Sequence, residues 1–202
     1  MDGVKDQRDE ELLTAHLSGQ PGAFDILVAR YTDGLYGFLL KFVGNTAVAD
    51  DLVQESFLQV HMAANTFDPR RSFRPWLYTV AANKARDYLR GRGRRQEKSL
   101  DAGGSENEGL GMGQRIAADD LAVAEQAQNE ESRQLVRALI TKLPEHLRLI
   151  LMLGYYQQLP YAEIATVLDI PVGTVKSRLH SAVTQFAKLW RAHARTAESP
   201  DT

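Results

Sequence analysis

The sequence predicts an all-α protein: two small helical domains joined by a flexible acidic linker, the second a four-helix domain with a helix-turn-helix. Three observations carry that expectation. Apolar residues recur at i, i+3 and i+4 spacing, with no alternating strand pattern of useful length. Residues 99–118 interrupt the pattern with glycines, scattered acids and few apolar side chains, a composition that cannot bury a core. The chain has 202 residues, 44% of them hydrophobic and 25% charged, enough for two such domains.

The elements follow in order. A first helix covers about 9–18, where Gln20-Pro21-Gly22 breaks the chain. A second starts near Ala23 and carries Phe24, Leu27, Val28, Tyr31, Leu35, Phe38, Leu39 and Phe42 along one stripe until Gly44-Asn45. A third spans about Thr46 to Ala64. After a short basic loop around Asp68-Pro69, a fourth starts near Phe73 or Pro75, with proline tolerated in the first turn. It continues to about Arg90, where Gly91 and Gly93 are expected to end it. Beyond the linker, helices are expected over about Glu130–Lys142, from Pro144 or Glu145 to about Tyr156, over Pro160–Leu168 and over Val172–Trp190. The domain boundaries read from this are 1–96, a linker over 97–128, 129–192, and a disordered tail over 193–202.

Composition narrows the chemistry. The chain has no cysteine, which removes disulfides, thiol nucleophiles and thiolate zinc sites. No apolar run is long enough for a membrane span, and the acidic start MDGVKDQRDEELL lacks a signal segment, so the expected location is the cytoplasm. The net charge of −2 conceals four blocks: −7 over 1–69, +8 over 70–98, −7 over 99–131 and +6 over 132–195. Two dense basic blocks point to a polyanion partner.

The segment 161–175, YAEIATVLDIPVGTV, has the logic of a helix-turn-helix. Ile164, Ala165 and Leu168 share a face, and small Ala165 lets a second helix cross close by. Asp169-Ile170-Pro171 forms the turn, with Ile170 directed back into the core. The second helix then buries Val175, Leu179, Val183, Phe186 and Trp190. Its other face presents Thr174, Lys176, Ser177, Arg178, His180 and Ser181, short polar or cationic groups suited to a major groove.

The third helix has two stripes. Ala49, Leu52, Val53, Ser56, Phe57, Val60 and Ala64 point inward. Asp51, Gln54, Glu55, Leu58 and Met62 form a second stripe in which acids alternate with two sizeable apolar groups, as on a partner surface. The alternative is that Leu58 packs on the first helix. On the fourth helix, Trp76, Leu77, Val80, Ala81 and Leu89 can pack inward. Asn83, Lys84, Arg86, Asp87, Arg90, Arg94 and Arg95 remain for contacts to phosphates and base edges, with Asp87 able to orient Arg90. The loop 65–72 adds Phe67, Arg70 and Arg71.

Residues 143–182, LPEHLRLILMLGYYQQLPYAEIATVLDIPVGTVKSRLHSA, resemble the promoter −35-reading region of bacterial RNA polymerase sigma factors. Residues 23–61 and 72–95 are similar to the polymerase-binding and −10-reading regions, and the layout resembles the extracytoplasmic-function (ECF) class of the sigma-70 family. The resemblance implies a factor without a catalytic site, cofactor or metal that binds core RNA polymerase and promoter DNA. It implies that Asp51, Gln54, Glu55 and Leu58 grip the clamp helices of the largest subunit. It assigns Phe67, Arg70, Arg71, Asn83, Lys84, Arg86, Arg90, Arg94 and Arg95 to the −10 element, the loop and Asn83 capturing an unstacked base. Thr174, Lys176, Ser177, Arg178, His180 and Ser181 fall to the −35 element. An anti-sigma factor, common in the family, is a further partner the resemblance allows.

Three other classes stay open. One is a helix-turn-helix regulator with an N-terminal dimerisation or sensing domain. Another is an adaptor that binds only protein. The third is an enzyme, against which His16, His61, His146, His180 and His193 show no metal spacing, GLGMGQ lacks a phosphate-loop ending, and no nucleophile motif occurs.

Overall fold

The computed structural model describes residues 7–97 and 130–197, without the side chains of 93–97, 130–133 and 195–197. The chain divides into two compact units, one built mainly on residues up to about 96 and the other mainly on later ones. Among the described residues there are helices and no strand. Of the expected linker 97–128, Glu97 closes α4 and the rest lies outside the described residues, as do 198–202 of the expected tail.

The first unit holds four helices: α1 (Asp9–Leu17), α2 (Ala23–Val43), α3 (Thr46–Ala63) and α4 (Phe73–Glu97). Their ends follow local chemistry. At the start of α1 the Glu11 carboxylate reaches back, Oε2 accepting from Arg8 N–H at 3.3 Å and Oε1 from Arg8 Nε at 2.8 Å. Gly22 and Gly44 bracket α2 in the left-handed conformation, and Gly44 N–H donates to Leu40 O at 2.8 Å. Asn45 Oδ1 then caps α3 by accepting from Val48 N–H at 3.0 Å. A 3₁₀ turn, Ala64–Thr66, ends α3. Leu12, Leu13, Leu27, Phe38, Phe42, Phe73 and Tyr78 are buried together, each such side chain stabilising by about 1.5–3 kcal/mol.

Helix α4 departs from expectation: it passes Gly91 and Gly93 and runs to Glu97. Glycine stops a helix when it adopts the left-handed conformation, and among the described glycines only Gly19, Gly22 and Gly44 do. A helical glycine costs about 1 kcal/mol relative to alanine, and the arginines around it favour the helix.

The second unit contains α5 (Glu130–Thr141), α6 (Glu145–Leu151), α7 (Tyr161–Leu168) and α8 (Val172–Ala197). The fourth residue set is longer than expected: α8 continues past Trp190 to Ala197, so 193–197 is helix rather than disordered tail. The segment expected as one helix to Tyr156 changes to a π-turn over Met152–Tyr156, closed by Gln157 N–H to Met152 O at 3.0 Å. Arg148 Nη2 donates to the carbonyls of Thr141 (2.6 Å) and Leu143 (3.1 Å), satisfying acceptors at the end of α5. Burial of that guanidinium lowers its pKa.

Candidate functional site

On α3 the helical period separates two faces cleanly. Ala49, Leu52, Val53, Ser56, Phe57 and Val60 are all buried, and Ser56 Oγ spends its proton on Leu52 O at 2.6 Å. Asp51, Gln54, Glu55, Leu58 and Met62 are exposed. Leu58 is 59% and Met62 69% accessible, so Leu58 is not a packing residue for α1. Exposed large apolar side chains in line with charge are a feature of docking surfaces.

The α4 face carries the polar set. Asn83 and Arg90 are exposed, Lys84 and Arg86 half-buried. Lys84 Nζ pairs with Glu55 Oε2 at 3.2 Å. Arg86 Nη1 donates to Asn83 Oδ1 at 3.0 Å, and Arg90 Nη2 to Asp87 Oδ1 at 2.8 Å. Arg94 and Arg95 lie in the last turns of α4, and their side chains are outside the described ones.

The α3–α4 loop presents Arg70 and Arg71, both exposed. Asp68 Oδ1 accepts from Arg70 N–H at 3.0 Å, and Asp68 O from Arg71 N–H at 2.9 Å, which gives this loop a defined turn. Phe67 is half-buried, its ring 4.8 Å from Trp76 and 6.2 Å from Phe73. Trp76 thus belongs to an aromatic cluster at the base of the loop.

Sequence reasoning missed what holds this end of the unit together. Phe73 N–H, at the start of α4, donates to Glu10 Oε1 at 2.9 Å. Asp9 accepts from Tyr31 Oη and pairs with Arg30. Burial and that carboxylate together raise the Tyr31 phenol far above its ordinary pKa. No local signal in the sequence marks such contacts, because the partners are more than 20 residues apart. The histidines also surprise: His16 and His61 stand 4.8 Å apart with Phe24 against both. Among the described residues, no three His, Cys, Asp or Glu side chains could hold a metal ion together.

In the second unit α7 and α8 are joined by Asp169-Ile170-Pro171. Asp169 has φ +53°, and Ile170 N–H reaches back to Ala165 O at 3.1 Å, the closure that ends a helix sharply. Pro171 O accepts from Thr174 and Val175 N–H, opening α8. Lys176 and Ser177 are exposed; Thr174, Arg178, His180 and Ser181 are half-buried. The inward stripe differs from expectation. Val175 and Phe186 are fully buried, whereas Leu179, Val183 and Trp190 are only part-buried. Ala182 and Ala187 are buried instead. On α7, Ile164 and Val167 are the buried pair, while Ala165 and Leu168 are half-buried.

Gly154, in the π-turn, explains how these helices approach. A Cβ there would stand 3.3 Å from Leu179 Cδ1 and 3.4 Å from Ile164 Cδ1. Tyr161 and Val172, the first residues of α7 and α8, are exposed large apolar groups outside the expected set.

A helix-turn-helix in one unit and a cationic helix beside an acidic-apolar face in the other define a two-module DNA-binding transcription factor. Known proteins fix the family. Residues 27–95 match Sigma-70 region 2 and residues 133–186 match Sigma-70 region 4. The ECF RNA polymerase sigma factor SigW of Bacillus subtilis is 35% identical over 162 residues, 80% of this chain and 86% of the relative. The ECF RNA polymerase sigma-E factor of Escherichia coli K12 is 36% identical over 176 residues, 86% of this chain and 90% of the relative. The solved structure of CnrH in complex with the cytosolic domain of CnrY aligns with TM-score 0.66 at 26% identity, covering 91% of this chain and 97% of that one. The fold is also that of RpoE from Bartonella quintana, in a co-crystal structure with the anti-sigma factor NepR (TM-score 0.65, 18% identity, 84% and 98% covered). The chain belongs to the ECF class of the sigma-70 family. It is a promoter-directing sigma factor of RNA polymerase. No described helix is long and apolar enough to cross a membrane.

Proposed function

We propose that the two units divide the work of promoter selection. The first, residues 1–96, binds core RNA polymerase through Asp51, Gln54, Glu55 and Leu58 on α3, with the clamp helices of the largest subunit as the contact. It reads the −10 element through the 65–72 loop and the α4 face. The second, residues 129–192, reads the −35 element with the N-terminal half of α8. The linker 97–128 tethers the two, and the chain acts by binding rather than by chemistry, in the cytoplasm where polymerase and DNA meet.

The observation that carries this reading is the outward face of α3. Two large apolar side chains stand more than half exposed, in register with three polar groups. A solvated helix face would not align them. The same face argues against a regulator built on a sensing domain. An anti-sigma factor is proposed as the third partner. CnrH, 26% identical, is held by the cytosolic domain of CnrY in its structure.

In vitro transcription with core polymerase, followed by start-site mapping, tests the reading. Addition of the chain should produce transcripts from a discrete set of start points. A chain that binds the same DNA equally well without polymerase, and selects no start point with it, would be a regulator instead.

A further inference from the structure

Helix α1 lies outside the residues 27–95 that match Sigma-70 region 2, yet its first two residues hold two other helices. Asp9 accepts from Tyr31 Oη and pairs with Arg30, both on α2. Glu10 Oε1 accepts from the N–H of Phe73, the first residue of α4, at 2.9 Å. The first N–H groups of a helix have no partner within it, and the helix dipole favours a carboxylate there.

That N–H stands where the 65–72 loop becomes helix. Inside the loop, Asp68 takes the N–H groups of Arg70 and Arg71, one on Oδ1 and one on its carbonyl. The turn is thus fixed from within by Asp68, and its far end is fixed from outside by Glu10. The Phe73 side chain is fully buried, its ring centroid 5.6 Å from Tyr31 and 6.2 Å from Phe67. Phe67 in turn lies 4.8 Å from Trp76. A path of contacts therefore runs from the start of α1 through Phe73 to the half-buried ring of the loop.

We infer that Glu10 is a positioning residue for promoter opening: by holding Phe73 N–H it sets the seat of Phe67, and with it the 65–72 loop, before the −10 strand arrives. This rests on the reading of that loop as a −10 contact. A loop already in place has less conformational freedom to lose when it closes on a single strand, and ordering one such side chain is worth about threefold to tenfold in affinity. The proposed polymerase surface on α3 is not on this path, so capture of the strand and binding of polymerase should separate.

The test uses the full chain assembled with core polymerase and a labelled non-template single strand spanning the −10 element. Glu10→Ala should weaken capture of that strand by about threefold to tenfold and leave affinity for core polymerase unchanged. Glu10→Gln keeps an oxygen at the same reach and should capture within about twofold of wild type. Phe67→Ala should also weaken capture, and in that background Glu10→Ala should add less than about twofold, because the two residues act on one path. Capture by Glu10→Ala equal to wild type, or full additivity with Phe67→Ala, overturns the positioning role. Equal loss of strand capture and polymerase affinity in Glu10→Ala makes Glu10 a residue of the fold only and overturns it too. A loss in Glu10→Gln as large as in Glu10→Ala denies the hydrogen bond its part. If Phe67→Ala and a combined Arg70→Ala, Arg71→Ala variant both capture the strand like wild type, the loop is not a −10 contact, and the reading falls together with the inference.

Discussion

Lys84 Nζ lies 3.2 Å from Glu55 Oε2 and ties α4 to α3. The two residues belong to different proposed surfaces, one facing DNA and one facing polymerase. Their side chains are 32% and 54% exposed, so solvent screens the pair and it contributes less than about 1 kcal/mol. The expected outcome is a separation of stability from function. Lys84→Met and Glu55→Gln should each change urea-unfolding stability by less than about 1 kcal/mol. Lys84→Met should weaken holoenzyme binding to all promoters about equally and reduce the slope of log affinity against log salt by about one. An unchanged slope would place Lys84 away from phosphate.

The exposure of Leu58 gives a second prediction. A side chain 59% accessible contributes little to the free fold, so Leu58→Ala with Gln54→Ala should leave stability within about 0.5 kcal/mol. If the face binds polymerase, the same double variant should lower affinity for core enzyme by about tenfold, read by titration of labelled chain. Equal affinity with intact folding would remove this stripe from the interface.

Much of this architecture is legible in the sequence, for a physical reason. Helical periodicity is local, so the inward and outward faces of α3 follow from spacing alone, down to buried Ser56 and exposed Met62. The Asp87–Arg90 pair is legible too, being i, i+3 on one helix. Contacts across sequence are not. Nothing local announces that Glu10 caps α4 at Phe73, that Lys84 reaches Glu55, or that His16 meets His61. The end of α4 is not legible from its glycines, because a glycine stop depends on the backbone conformation that tertiary packing selects. Gly44 adopts the left-handed form and ends α2, whereas Gly91 stays helical within α4.

Tyr78 supplies a prediction in pH. Burial pushes its phenol up to about 12, with Arg74 beside it pulling in the opposite direction. An acid whose folded pKa lies above its unfolded value of about 10 holds its proton more tightly in the fold. Its contribution to stability is therefore complete below pH 10 and is lost as pH rises from about 10 to 12. Denaturation midpoints of the full chain should fall across that window. Tyr78→Phe, which keeps the ring and removes the titrating group, should flatten part of the decline. A Tyr78→Phe profile identical to wild type would mean that other groups carry the alkaline sensitivity.

Gly154 carries the last prediction, because it links one methylene of space to promoter reading. Leu179 of α8 and Ile164 of α7 close over the π-turn so tightly that an added Cβ would meet their methyl groups at 3.3–3.4 Å. Alanine adds only that Cβ, and the atoms it meets are the far ends of side chains that can shift. Valine adds two methyl groups more and cannot fit without moving a helix, a change that costs about 1–3 kcal/mol in a packed core. A shift of α8 would carry with it Lys176 and Ser177, which it exposes near its N-terminus. A displacement of that helix alters base contacts in a groove where good geometry decides discrimination. Gly154→Ala should therefore retain selectivity for the −35 element, and Gly154→Val should lose it. Binding to core polymerase should survive in both variants, because the proposed contact surface is on α3 in the other unit. Footprinting of the −35 element beside a polymerase titration checks both halves. Full −35 selectivity in Gly154→Val would show that α8 does not depend on this close approach.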